Sequence, residues 1–150
     1  MKIILACIGK LKEKYFREAF EAYSRQISKH YELALIEIAG MPAPESLSLA
    51  EEDELKRKES AKLYSRIRPG SFIIALDPAG KRTGSADFAK KIASLEQAGT
   101  SEVVFTIGGS LGLHVESLAK SDFRMSLSRM TFPHQLARLI LAEQIARRSR

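Results

Sequence analysis

The sequence predicts an α/β fold, a three-layer sandwich around a mostly parallel sheet, on three observations. Short apolar runs alternate with helical patterns along the chain, the order that successive strand and helix units impose. The run Ser71 to Leu76 is continuously apolar, as in strands buried on both faces of a parallel sheet. Glycine, proline or small polar residues follow the later strand patterns, so loops collect beyond the strand ends, where α/β sheets bind ligands.

The length and composition agree with that fold class. A chain of 150 residues is expected to form one domain, 1–150, and is long enough to bury a core without disulfides or metals. With 45% hydrophobic and 28% charged residues the composition is that of a globular protein, which argues against disorder. Ile3 to Ile8 is too short to span a bilayer and lacks the small-residue cleavage site of a signal peptide, so a cytoplasmic protein with no membrane partner is expected. Cys7 is the single cysteine, which excludes an internal disulfide and any multi-cysteine metal site. The net charge of +6 and pI near 9.5 favour a polyanionic partner, because cations release the counterions condensed on phosphates. The aromatic residues do not form the stacking platform of an RNA-recognition sheet.

Taken in order, Lys2 to Gly9 reads as the opening strand. Lys10 to about His30 reads as a helix with Phe16, Phe20, Tyr23 and Ile27 on one face, and Leu33 to Ile38 as the second strand. Ala39 to Leu49, with Gly40, Pro42 and Pro44, reads as a loop or lid. Ser48-Leu49-Ala50-Glu51 has the pattern of a capping box and predicts a helix to about Ile67, ended by Arg68-Pro69-Gly70. The third strand, Ser71 to Leu76, is expected to stop at Asp77-Pro78-Ala79-Gly80. Ser85 then caps a helix with Phe88, Ile92 and Leu95 on its inner side, which ends at Gly99. Glu102 to Ile107 reads as strand four, His114 to Lys120 as a short helix and Phe123 to Leu127 as strand five. Pro133 opens a last helix to about Arg148. Leu136, Leu139, Ile140, Leu141, Ala142 and Ile145 cover more than one face of that helix; a homodimer or burial within the same chain satisfies the pattern equally.

Three loops then carry the candidate chemistry: Leu76 to Lys81, Thr106 to His114 and Leu127 to Pro133. Glycines at a strand end permit φ > 0 and close approach to the backbone, which suits a tight turn or a polar cofactor held by main-chain hydrogen bonds. Gly108-Gly109-Ser110-Leu111-Gly112 is neither the G-x-G-x-x-G dinucleotide fingerprint nor a P-loop. Asp77 before Pro78 reads as a turn former. His114 and His134 are too isolated for a metal site, which needs three or four ligands, so no metal is expected. His134, just inside the last helix and beside a loop, is a candidate for substrate contact or proton transfer, or a structural residue. No Ser-His-Asp or paired-carboxylate arrangement supports a hydrolase.

LDPAGK, IGGSLGL and SLSRMTFPHQLARLILAEQI, in that order, resemble the motifs of the ribosomal RNA large subunit methyltransferase H family, within the trefoil-knotted SPOUT superfamily. The similarity runs from Met1 to about Ile145. It implies a C-terminal trefoil knot, a homodimer, S-adenosylmethionine held by the knot loops, and methylation at N3 of a pseudouridine in 23S ribosomal RNA of the assembled ribosome. Only the resemblance implies the knot, since knots break the usual threading rules. Carried over by motif, the cofactor contacts are Leu76, Gly108 and the stretch Leu127, Ser128, Arg129, Met130, Thr131 and Phe132.

Such a cofactor needs apolar walls for its adenine and main-chain hydrogen bonds, which Leu76, Leu127, Met130 and the backbone near Gly108 are placed to supply. Its methyl sulfonium is already activated, so the protein's tasks are alignment and assistance in losing the target's proton. His134 and Arg129 are the catalytic candidates. Arg129, Lys81, Arg82, Arg147, Arg148 and Arg150 are candidates for RNA phosphates or solvated cations. Family members continue after Glu-Gln-Ile with an aromatic residue and a short tail bearing a Tyr-His pair, whereas here Ala146 follows Ile145 and the sequence runs to Arg150 without that pair. The expectation is retained cofactor binding, with an RNA methyltransferase as the leading reading, a catalytically weak ribosome-binding protein as its alternative and a generic α/β nucleotide-binding enzyme as the third.

Overall fold

A computed structural model describes residues 1–41 and 44–147. The loop position Pro42 and the cations Arg148 and Arg150 lie outside the described residues. The elements are β1 (Lys2–Ile8), α1 (Lys14–Ile27), β2 (Glu32–Ile38), α2 (Leu49–Tyr64), β3 (Phe72–Arg82), α3 (Ser85–Gln97), β4 (Glu102–Ile107), α4 (Val115–Ala119), β5 (Phe123–Ser126) and α5 (His134–Arg147). The strands form one sheet in the order β2-β1-β4-β3-β5, and every adjacent pair is parallel.

β4 lies at the centre with every residue buried, which explains its apolar stretch Val103-Val104-Phe105. Alternate residues of β1 and β4 face two cores. Ile3, Leu5, Val103 and Phe105 pack with Ile27 of α1, Phe88 and Ile92 of α3, and Leu141 and Ile145 of α5. Ile4, Ala6, Ala75 and Val104 pack with Leu63 of α2, and Leu118 of α4 borders that core. Helices therefore cover both faces, and the three-layer α/β sandwich is the observed architecture. Burial of each large aliphatic or aromatic side chain contributes roughly 1.5–3 kcal/mol. Cys7 belongs to the first core, where burial pushes its thiol pKa up to about 12 and keeps it protonated.

The capping box forms as expected: Ser48 Oγ accepts from Glu51 N and the Glu51 carboxylate accepts from Ser48 N. Four local expectations are corrected. α1 begins at Lys14 rather than Lys10, because Leu11 is drawn into the protein and Lys12 N donates to Gln135 of α5. α2 ends at Tyr64, and Arg66 and Ile67 follow in tight turns. Gly84 rather than Ser85 is the N-cap of α3, with no side-chain cap bond. β3 does not stop at Leu76. It resumes after Gly80, with Leu76 and Lys81 both opposite Met125 and the residues between them looped out as a bulge. Asp77 turns this bulge by accepting from Ala79 N at 3.0 Å. Gly80 is required there, since a Cβ would lie 2.7 Å from the Arg124 backbone.

Among the described residues no helix is long and apolar enough to cross a membrane.

Candidate active site

The parallel sheet directs all five strand ends to one edge, and two adjoining cavities open there. The first, about 120 Å³, lies between the bulge after Leu76, the turn after Ile107 and the segment after β5. Leu76, Gly108, Leu127, Ser128, Met130 and Phe132 line it, so six of the eight predicted cofactor contacts meet in one cleft. Arg129 and Thr131 are exposed and do not line it. Ser128 shapes its own segment: its hydroxyl accepts from Met130 N at 3.0 Å, and its carbonyl accepts from Ser126 Oγ. Apolar walls from Leu76, Leu127 and Phe132 beside the main chain of Gly108 and Gly109 fit a flat aromatic group edged with hydrogen-bonding atoms. The volume is below the roughly 300–1,000 Å³ of a whole small-molecule site, so the cleft fits one ring of a larger ligand.

Gly108 has a different reason for being glycine from the one its motif suggests. A Cβ on it would lie 2.5 Å from the carbonyl carbon of Gly112 and 2.8 Å from Leu113 N. The turn folds back onto itself here, bridged between Gly109 and Gly112, and Gly112 takes the positive φ of 82°. Only a missing side chain lets the turn close, whatever the cleft holds.

The second cavity, about 480 Å³, spreads over the ends of β1, β2 and β4 and shares Gly109 and His134 with the first. Glu59 and His134 line it with Lys10, Lys12, Met41 and Gln135. The sequence reading singled out only His134 among these. Glu59 sits in a densely charged helix and gave no local signal, yet it is only 6% exposed and accepts from Met41 N at 2.7 Å. Burial lowers the pKa of His134 below its usual 6.5, and the nearby Arg138 and Lys12 lower it further, with Glu59 opposing. The imidazole is therefore neutral at physiological pH and available as a proton acceptor.

Arg138 is the second residue the sequence did not disclose. It is 1% exposed, donates through Nη1 to Glu37 at 2.6 Å and through Nη2 to the Gly9 carbonyl at 2.9 Å. One helical turn after His134, it ties α5 to the ends of β1 and β2.

The remaining candidates are dispersed. His114 is buried as the N-cap of α4 and bonds to Asp53 at 3.2 Å, a structural role. Lys81 and Arg82 are exposed on β3, and Arg147 is paired with Glu143 at 2.7 Å. A larger hollow of about 850 Å³ opens at the opposite edge between Arg68, Ser71, Gly99 and Lys120. Those loops precede strands, the end of a parallel sheet that ligands do not normally use.

Residues 1–150 match the family model described as predicted SPOUT methyltransferase. The protein named ribosomal RNA large subunit methyltransferase H in Ruminiclostridium cellulolyticum is 47% identical over 147 residues, covering 98% of this chain and 92% of the relative. Proteins of the same name from Carboxydothermus hydrogenoformans and Clostridioides difficile are 46% and 44% identical over the same shares. The chain therefore belongs to the SPOUT methyltransferases and, within them, to the ribosomal RNA large subunit methyltransferase H family.

Proposed function

We propose that the protein is a ribosomal RNA methyltransferase that takes its methyl group from S-adenosylmethionine. The observation that carries the reading is the convergence of the Leu76 bulge, the Gly108 turn and the Leu127 to Phe132 segment on one apolar cleft, joined through Gly109 and His134 to a cavity rimmed by lysines. Leu76, Leu127 and Phe132 would hold the adenine, with the main chain around Gly108 at its edge. Bound there, the cofactor supplies a methyl group on a sulfonium, activated without a metal. The chain's own task is to align the acceptor nitrogen and take up its proton, and His134 is the neutral base at the junction of the two cavities.

The finer reading takes N3 of a pseudouridine in 23S ribosomal RNA as the target, in the cytoplasm and on the assembled ribosome, with residues 1–150 acting as one knotted methyltransferase domain. Arg129, exposed beside the cleft, would meet RNA phosphate rather than the cofactor. The homodimer belongs to the same reading. Leu136, Leu139 and Ile140 of α5 form a groove with Ala19 and Tyr23 of α1, an apolar surface for a second copy. Sedimentation at micromolar concentration should give a dimer, and a monomer would remove that part.

Methyl-labelled S-adenosylmethionine and ribosomes from cells lacking the corresponding enzyme test the activity. Label in the large-subunit RNA is expected. Cofactor binding without transfer would favour the ribosome-binding alternative, which the enzyme names of the relatives do not favour.

A further inference from the structure

The second cavity is built by absent side chains. Gly9 follows β1, Gly40 follows β2 and Gly109 follows β4. A Cβ on Gly9 would lie 3.3 Å from His134 Nε2 and one on Gly40 3.6 Å from Glu59 Oε2, while one on Gly109 would meet Ile8 Cγ2 at 3.2 Å with Glu59 Oε1 at 3.9 Å behind it. Neither Gly40 nor Gly109 has a positive φ, and neither would meet backbone, so their own conformations do not demand glycine. Gly9, whose φ of 100° itself favours glycine, borders the His134 ring, and Gly40 and Gly109 border the Glu59 carboxylate.

The charge pattern narrows what fits. A carboxylate accepts up to about four hydrogen bonds. Among the described residues Glu59 has one bond, from Met41 N, despite its burial. Lys10 and Lys12 stand in the same lining, both exposed. A simple anion would be repelled by Glu59 and a simple cation by the lysines. A ligand with N–H donors at one end and phosphate at the other satisfies both, and that is the chemistry of a nucleotide.

We propose that this cavity receives the acceptor nucleotide: Glu59 accepts an N–H of its base and Lys10 and Lys12 meet its phosphates. The inference rests on the function proposed above and assigns that function a second site, distinct from the cofactor cleft and touching it at Gly109 and His134. Glu59 is thereby a residue of acceptor selection as well as an anchor for the chain at Met41.

Glu59→Gln tests this, because the amide carbonyl still accepts from Met41 while the other atom becomes a donor. Affinity for S-adenosylmethionine should stay within about twofold, and kcat/KM for ribosomes lacking the modification should fall about tenfold or more, the scale of one buried hydrogen bond exchanged for a clash of donors. Gly40→Ala, which adds a methyl group in ordinary contact with Glu59, should raise KM for ribosomes without lowering the melting temperature. Full activity of both variants overturns the proposal, as does a Glu59→Gln protein whose cofactor affinity and melting temperature fall in step with its activity. If the unaltered protein transfers no methyl group, the function reading fails instead. The cavity is then judged by anisotropy of a fluorescein-labelled single-stranded RNA containing pseudouridine, whose N1–H remains free to meet Glu59; Lys12→Glu and Glu59→Gln must each weaken its binding, and unaltered binding overturns the site.

Discussion

The glycines of the two cavities differ in what they are for. Gly80, in the β3 bulge, and Gly108, in the lining of the first cleft, are pressed against backbone, so the bulge and the turn cannot form with a side chain there. Gly40 and Gly109, in the lining of the second cavity, meet side chains alone: a Cβ on Gly40 would lie 3.6 Å from Glu59 Oε2 and one on Gly109 3.2 Å from Ile8 Cγ2. Gly80 and Gly108 are needed for folding, whereas Gly40 leaves volume beside Glu59. Identical residues in comparable sequence settings, each just past a strand or inside its bulge, thus answer to different constraints, and substitution separates them.

The largest effect should come from the strut beneath the second cavity. Arg138→Ala leaves the part-exposed Glu37 without its partner and a void beside Gly9, a loss of about 3 kcal/mol, the lower end of the range for breaking a buried pair. For a domain of this size each kcal/mol shifts the melting temperature by about 2–4 °C, so calorimetry should record a drop on the order of 10 °C. A change of only a degree or two would show that Arg138 does not hold α5 to the strand ends.

Gly108→Ala and Gly40→Ala form the direct contrast. The first forces backbone apart and should cost about 1–3 kcal/mol as overpacking, with weakened S-adenosylmethionine binding. The second should stay within about 0.5 kcal/mol. Equal losses in paired melting curves would erase the distinction between glycines for folding and glycines for space.

Ser48→Ala probes the helix that delivers Glu59. Loss of the cap should cost about 1 kcal/mol, and hydrogen exchange should quicken in the first turn of α2. Unchanged exchange at Glu51 and Glu52 would mean that the capping box does not anchor that end.

The smallest effect is the titration of His134. Its folded pKa lies below the unfolded value, so between the two the unfolded chain binds more protons. Stability is therefore complete above pH 6.5 and declines as pH falls toward the folded pKa. An NMR titration of the ring should give a midpoint below 6.5, and the acid limb of kcat/KM should follow it. A midpoint at or above 6.5 would remove His134 as a neutral base at the junction.

Much of the scaffold was legible because it follows local rules. The apolar run of β3 before Asp77, the period of Phe88, Ile92 and Leu95, the Ser48 to Glu51 box and the glycine that ends α3 each depend on nearby residues. The β3 bulge was not, because Asp77-Pro78-Ala79-Gly80 carries the composition of a strand stop, and only the Arg124 backbone reveals that the strand continues. The cleft between the Leu76 bulge, the Gly108 turn and the Leu127 to Phe132 segment was traceable through its loops. Glu59 and Arg138 were not: Glu59 is one acid among many in α2, and Arg138 meets a partner 101 residues away. Buried charges of this kind are set by tertiary packing and leave no periodic trace in sequence.

The division between the two cavities is tested most directly by titrating S-adenosylmethionine into the protein and following backbone amide resonances. The largest shifts should fall at Leu76, Gly108 and Leu127 to Phe132, with Gly9, Lys12 and Gly40 moving little. Largest shifts at Gly9, Lys12 and Gly40, with the Leu127 to Phe132 segment unmoved, would contradict it.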